Sequence, residues 1–207
     1  MKRSHFLIFN ICCLLFTVLL WGCGDGPGSP GSEGSEKTGI EPRVVSMTHS
    51  DPAGDQGDLW EIDFIQDICD DGKPEKFGND VASIAFFGDQ LNPNVPSTNF
   101  LSITNYKVTF LKEDPSSPTI EQDEYGNQSG VTILPEADTG PFSFLILVSG
   151  KKEAIAKDIS DGIYMPKSYP LLYNMKIEIW GQDKYGKDFK VGPIIRMISI
   201  ANYDKCQ

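Results

Sequence analysis

Residues Leu172–Trp180, LYNMKIEIW, decide the fold of this chain, because polar and apolar side chains alternate along them. The apolar set occupies every second position: Tyr173, Met175, Ile177 and Ile179. Successive side chains of a β-strand point to opposite faces of a sheet, so this set predicts a strand with one buried face. Trp180 falls on the outward face, where an aromatic side chain either contacts a sugar or a protein or covers a sheet edge.

Further apolar stretches have strand character, and clusters of turn-forming residues separate them. They are Arg43–Thr48, Leu59–Ile65, Val81–Phe87, Ile103–Leu111, Gly130–Leu134, Phe142–Val148 and Phe189–Ala201. In Leu59–Ile65 the alternation predicts a strand that is buried on one face only. Lys151–Ile159 is the one helical candidate, and we expect one or two turns across the end of the sheets. Seven or eight short strands with turns between them predict a β-sandwich.

The last predicted hairpin carries Gln182-Asp183-Lys184-Tyr185-Gly186, which shares the pattern Q-D-x-Y-G with residues 122–126. Both copies predict a hairpin turn, because Asp caps a turn and Gly accepts a positive φ. The closing stretch 173–204, YNMKIEIWGQDKYGKDFKVGPIIRMISIANYD, resembles the last strands of immunoglobulin-like modules in exported bacterial proteins. The resemblance implies an all-β, immunoglobulin-like β-sandwich of about seven or eight strands with at most one short helix. It implies no activity, because such sandwiches host adhesion, assembly, carbohydrate binding and spacing alike.

The N-terminus has the features of an export signal. Lys2 and Arg3 form a basic start, and residues 6–21 form an apolar block that only Asn10 interrupts. This block is shorter than the roughly 20 apolar residues of a membrane-spanning helix. We therefore expect a cleaved signal peptide, and an uncleaved N-terminal membrane helix is the alternative.

The apolar block ends in Leu20-Trp21-Gly22-Cys23, which resembles the lipobox of bacterial lipoproteins. The resemblance implies cleavage before Cys23 and a membrane anchor through acyl chains on Cys23, on the outer membrane because Gly24 follows. Residues 24–39 are rich in Gly, Ser and Pro and predict a flexible linker. The expected organisation is a signal peptide at 1–22, the lipidated cysteine and linker at 23–39 and a β-sandwich domain at 40–207.

The charge of the chain limits its partners. The formal net charge is −11, and it becomes −13 once Lys2 and Arg3 leave with the signal peptide. Such a surface repels the phosphates of nucleic acid and of anionic lipid, so DNA or RNA binding is not expected. Besides the membrane itself, an envelope protein or a glycan is the expected partner.

The cysteines of the expected mature chain form a simple set. Cys12 and Cys13 leave with the signal peptide and Cys23 carries lipid, so Cys69 and Cys206 are the remaining thiols. Export to an oxidising compartment predicts a disulfide between these two, and two separate thiols are the alternative.

Catalytic side chains are scarce. His49 is the single histidine of the expected mature chain, which disfavours Ser-His-Asp and Cys-His catalysis and histidine-rich metal sites. We expect His49 to be a loop or strand-end residue. Paired carboxylates in a cleft could hydrolyse a glycosidic bond, but no glycosidase motif is visible, and we assign no catalytic residue.

Acidic residues cluster at 51–58 and around Cys69. Loops at one end of a sandwich could bring such oxygens together around Ca²⁺, which takes six to eight oxygen ligands. The candidate ligands are Asp67, Asp70 and Asp71, although their spacing does not match an EF-hand. Solvated acidic loops are the alternative, and no other cofactor is expected.

These features predict a lipid-anchored protein of the bacterial envelope, on the outer membrane, that acts as a non-catalytic binding or structural module. One alternative is a Ca²⁺-dependent adhesion or carbohydrate-binding domain. The other is a carboxylate-based hydrolase.

Overall fold

The structure is a computed structural model, and it describes residues 32–33, 35–50, 59–65, 68–74, 76–92, 98–126 and 130–203. These residues form strands β1 Ser32–Glu33, β2 Ile40–Ser50, β3 Trp60–Asp63, β4 Asp80–Gln90, β5 Leu101–Lys112, β6 Asp123–Tyr125, β7 Thr132–Ile133, β8 Phe142–Leu147, β9 Leu171–Asp183 and β10 Asp188–Ala201. They also form the single helical turn α1 Ser35–Thr38 and the helix α2 Ser149–Ser160.

The described strands form two sheets. The small sheet has the antiparallel order β2-β4-β8, and the large sheet has the order β1-β10-β9-β5-β6, with β3 parallel to β10 and β7 paired to β5. Immunoglobulin-like sandwiches group strands A, B and E in one sheet and C, F and G in the other, and β2, β4, β8 and β5, β9, β10 reproduce that grouping. The predicted all-β sandwich is therefore confirmed, with more short strands than the sequence indicated.

The core lies between the two sheets and follows the predicted alternation. In β9 the inward residues Tyr173, Met175, Ile177 and Ile179 are fully buried, while the residues between them are partly exposed. Phe86 and Phe144 of the small sheet meet edge to face, with ring centroids 6.5 Å apart. Each such side chain contributes about 1.5–3 kcal/mol when it leaves water, so the pairing of inward faces stabilises the sandwich.

Strand β2 lies at an edge of the small sheet. Its backbone includes Pro42, and its register with β4 shifts between Val44 and Ser46. Arg43 is exposed on the same strand and pairs with Asp89 at 2.8 Å. A proline, a bulge and a charged side chain are features that make an edge strand a poor partner for another strand.

Strand β3 differs from its prediction, which was a strand buried on one face. Glu61 and Asp63 are buried, like Trp60 and Ile62. The parallel pairing of β3 with the end of β10 brings it into the body, so both of its faces are covered. One carboxylate oxygen of Asp63 accepts a hydrogen bond from the N–H of Ile65 at 3.1 Å.

Helix α2 is longer than the predicted one or two turns. It contains 12 residues, and Asn79 accepts a hydrogen bond from the N–H of Ser149 at 2.9 Å. The capping oxygen thus comes from the residue before β4 and not from the helix itself. A cap from another element satisfies an N–H group that the helix leaves unpaired, and this fixes where α2 starts.

The two Q-D-x-Y-G copies have different structures. In the second, Asp183 accepts hydrogen bonds from the N–H groups of Tyr185 and Lys187, and Gly186 has φ 78°, as predicted for a hairpin turn. In the first, residues 123–125 are strand β6, paired with β5, and the prediction of a turn is wrong. The reason is that Asp123 is bound by Lys151 and by the Tyr125 hydroxyl and does not cap its own backbone.

The folded body begins earlier than residue 40, where the sequence placed its boundary. Ser32 and Glu33 pair with Val191 and Lys190 of β10, and Thr38 is buried. Part of the predicted linker, residues 32–33 and 35–39, therefore belongs to the body. Within the described residues no helix is long and apolar enough to cross a membrane, and the predicted signal peptide at 1–22 lies outside them.

Candidate functional site

The predicted disulfide involves one described residue. Cys69 is disulfide-bonded, whereas Cys206 and the predicted lipidation site Cys23 lie outside the described residues. Asp63 is the last residue of β3 and pairs with Ala201, the last residue of β10, where the two strands run parallel. Cys69 follows the first by six residues and Cys206 follows the second by five, which favours the predicted pairing.

The predicted metal ligands do not meet in the described part of the chain. Asp67 lies outside it, and Asp70 and Asp71 are exposed. Asp71 binds Lys73 at 2.8 Å, and hydrogen bonds from Lys73 hold the pKa of Asp71 below its usual value. No group of three or more His, Cys, Asp or Glu side chains suited to a metal occurs among the described residues. The Ca²⁺ site stays a prediction.

A buried charged cluster, which was not predicted from the sequence, joins β2, β4 and α2. The Nε2 atom of His49 lies 3.5 Å from Oδ1 of Asp80, and Nζ of Lys152 lies 2.7 Å from Oδ2 of Asp80. These three side chains are 0%, 2% and 4% exposed. The His49 ring also stacks on Trp60 of the large sheet, with centroids 5.0 Å apart.

The position of this cluster indicates a structural role. Burial excludes a substrate from all three side chains, and a buried ion pair requires its partner to compensate the lost hydration. His49 does stand near the end of a strand, as expected, but it is buried and stacked. Spacing could have identified Lys152, because residues 152, 155 and 159 share one face of a helix and Ile155 and Ile159 pack on the core.

A second set of polar contacts joins α2 to the large sheet. Lys151 pairs with Asp123 of β6 at 2.6 Å, and Tyr125 donates to the same carboxylate at 3.1 Å. Tyr125 stacks on Tyr106 with centroids 4.8 Å apart. The Tyr106 hydroxyl donates to the carbonyl of Leu145 and accepts from its N–H, so it binds β8 of the other sheet.

The exposed candidate site is a groove at the end of the body where β9 begins, here called the groove end. Residues 113–117, after β5, and residues of 167–172, before and within β9, line a volume of about 410 Å³. The N–H of Glu113 donates to Leu172, and the Tyr173 hydroxyl donates to Pro118, so both walls are fixed to the sheet. The groove is thus a built feature of the fold.

The groove combines hydroxyl, carboxylate and ammonium groups with an apolar surround. Its polar side chains include Glu113, Asp114, Ser116 and Lys167. In the connection from α2 to β9, the exposed large side chains are Ile163, Met165 and Tyr169. This mixture of polar groups and exposed aromatic and aliphatic side chains is typical of a contact surface for a sugar or a protein.

The outward face of the large sheet continues this surface. Leu111 and Met197 stand on either side of Asn174 in neighbouring strands, and both are exposed, as is Ile195. Trp180 lies on the same face, as predicted, and is half-buried. Cross-strand neighbours have Cβ atoms roughly 4.5–5.5 Å apart, so Leu111, Asn174 and Met197 form a continuous strip.

The carboxylates of the groove do not favour hydrolysis. Hydrogen bonds from Ser116 lower the pKa of Asp114 below its usual value. Glu113 accepts a hydrogen bond from the side chain of Asn174 at 3.2 Å. A general acid needs a raised carboxyl pKa, so Asp114 does not fit that role.

Comparisons of the chain with protein family models, with curated proteins and with solved structures find no match.

Proposed function

We propose that the protein is a non-catalytic binding module of the bacterial envelope, held on the outer membrane by acyl chains on Cys23. Its body carries the groove end away from the membrane. The binding surface comprises the groove, the exposed Tyr169 and the strip of Leu111, Asn174 and Met197. An envelope protein or a glycan is its partner.

The observation that carries this proposal is the place where the N-terminal segment joins the body. Ser32 pairs with Val191, near the start of β10. From there the turn at Gly186 is five residues away, about 17 Å along the strand, whereas Ala201 at the groove end is ten residues away, about 33 Å. The turn is therefore the end of the body nearer to the point where the N-terminal segment joins it.

The anchor is tested by mass spectrometry of the mature N-terminus. The expected result is a chain that begins at Cys23 and carries acyl groups. A chain that begins at Met1, or an unmodified Cys23, contradicts the anchor.

The binding surface is tested by photo-crosslinking in intact cells. A photoreactive amino acid in place of Tyr169 should give discrete crosslinked species, because this side chain is 43% exposed beside the groove. The matched control places the same amino acid at Val45, which is 42% exposed on the edge strand of the small sheet. Equal crosslinking at both positions would contradict a partner at the groove end.

A further inference from the structure

The opposite end of the body contains a second pocket, here called the hairpin pocket. It has a volume of about 310 Å³ between the β9–β10 turn, the end of α1 and the segments around residues 90 and 99. Asn99 donates to the carbonyl of Thr38 at 2.7 Å and to Asp183 at 2.9 Å. These hydrogen bonds hold the base of the pocket in place. Its lining includes Lys37, Lys187 and Tyr185.

The charged groups at this pocket are mostly cationic, although the chain as a whole is acidic. Lys187 donates to the carbonyl of Lys37 at 2.9 Å, and an ammonium group has three N–H donors, so two remain for a ligand. Lys184 binds Thr98 and lies 4.9 Å from the centre of the Tyr185 ring.

The carboxylate of this pocket is already satisfied. Asp183 is buried and accepts hydrogen bonds from Asn99 and from the N–H groups of Tyr185 and Lys187. Those hydrogen bonds lower the pKa of Asp183 against the effect of its burial. Its charge is thus directed into the turn, which leaves Lys37 and Lys187 as the cationic residues of the lining.

Two exposed apolar side chains stand at the rim. Tyr185 is 68% exposed at the tip of the turn, and Leu91 is 47% exposed between two residues that line the pocket. Tyrosine and lysine are suited to the interface of a bilayer, where an apolar body enters the lipid and a polar tip meets the headgroups.

We propose that the hairpin pocket binds the phosphate of a phospholipid headgroup through Lys37 and Lys187, with Tyr185 and Leu91 in the interface. This proposal rests on the proposed function, because the anchor is what brings this end of the body to the membrane. It adds an orientation to that function. Contact of the pocket with the lipid keeps the groove end directed away from the membrane.

The net charge of the chain does not prevent this contact. Screening in salt limits the reach of a surface charge to about 8 Å at physiological ionic strength. Acidic residues at the groove end lie well beyond that distance from the hairpin pocket. Carboxylates also lie near the pocket, but Glu136 accepts a hydrogen bond from Gln90 and Asp188 accepts one from Gln182. Asp89 pairs with Arg43. The ammonium groups of the lining lysines are therefore the charges that can attract a phosphate.

The test uses the mature chain from residue 23 with Cys23→Ser, so that no acyl chain contributes. Residues 31–207 form one compact unit, so this chain contains the whole folded body. Vesicles of phosphatidylglycerol and phosphatidylcholine are sedimented with it at physiological salt, with and without inorganic phosphate. We expect binding to the anionic vesicles, a loss of about five-fold in affinity for each of Lys37→Gln and Lys187→Gln, and a larger loss in the double variant that combines them.

The matched control removes the same charge at the groove end with Lys157→Gln and Lys167→Gln, both exposed. Unchanged vesicle binding in this control supports the pocket, provided that thermal unfolding shows both double variants to be folded. An equal loss in both double variants would mean a general charge effect and overturns the proposal, as does the absence of binding to the vesicles. Binding of inorganic phosphate alone overturns the assignment to a lipid.

The outcome is distinguishable from a failure of the proposed function. The anchor is judged by the N-terminal mass of the native protein, whereas the vesicle assay contains no acyl group. A correct anchor with no vesicle binding rejects only the pocket.

Discussion

Lys151 and Lys152 are neighbours in the first turn of α2, yet they bind opposite sheets. Lys152 reaches Asp80 of the small sheet, and both side chains are almost fully buried, whereas Lys151 reaches Asp123 of the large sheet, and both are about a quarter exposed. The two pairs have similar lengths and the same chemistry. Access of water should therefore decide how much each pair contributes to stability. Water can solvate Asp123 after Lys151 is removed, but it cannot reach the buried Asp80 after Lys152 is removed.

The largest expected effect follows from Lys152→Met. The substitution leaves the buried Asp80 without its cation, so the free energy of unfolding should fall by about 3–5 kcal/mol. Urea unfolding measures this change. The double variant Lys152→Met with Asp80→Leu removes both charges and should recover most of the loss.

A result that would break the comparison is a small effect of Lys152→Met. If the variant loses no more stability than Lys151→Met, burial is not what separates the two pairs. A double variant no more stable than Lys152→Met alone would also show that the unpaired charge is not the source of the loss.

Tyr106→Phe tests whether a neutral link between the sheets matters as much as a charged one. The hydroxyl satisfies both the carbonyl and the N–H of Leu145, and its removal leaves both without this partner. We expect a loss of about 1–3 kcal/mol in the free energy of unfolding. The control is Tyr185→Phe, whose side chain is exposed at the hairpin turn and should change stability little. Equal effects of both substitutions would contradict the role of Tyr106.

Alkaline pH should weaken the same link by a smaller amount. Burial raises the pKa of Tyr106 to about 12 from its ordinary value of 10.0. The folded protein therefore holds the proton more tightly than the unfolded chain, so the contribution is complete below pH 10 and declines as the pH rises toward 12. Unfolding in urea at pH 9 and pH 11 measures the decline. The decline should be smaller in Tyr106→Phe, and an identical pH dependence would refute the assignment.

The smallest effect is expected for Lys151→Met. Its pair with Asp123 is partly solvated, and such pairs contribute about 0.2–1 kcal/mol. The same urea unfolding as for Lys152→Met makes the two lysines directly comparable. A loss above 3 kcal/mol would show that the contacts of Asp123 with Tyr125 and Lys151 act as one buried unit.

Much of the fold could be predicted from local patterns. The alternation in Leu172–Trp180 is a property of nine consecutive residues, and it correctly gave the inward and outward faces of β9. The turn at Asp183–Gly186 was also predicted, because the capping side chain and the positive-φ glycine are close in the sequence.

Contacts between distant residues were not predictable in the same way. Residues 122–126 have the pattern of the second turn but form a strand, because Lys151, 28 residues away from Asp123, binds its carboxylate. The cluster of His49, Asp80 and Lys152 likewise depends on three elements meeting. The position of Lys152 on the apolar face of a helix was the only local feature of the sequence that indicated this cluster.

The properties of the edge strand β2 matter where many copies of the protein lie close together. Molecules confined to a surface meet far more often than molecules in solution, and exposed strand edges are where copies of one protein join into larger aggregates. Pro42 removes a backbone donor, the shift after Val44 bends the strand and Arg43 adds a charge. These features should therefore keep copies of the protein from pairing through β2.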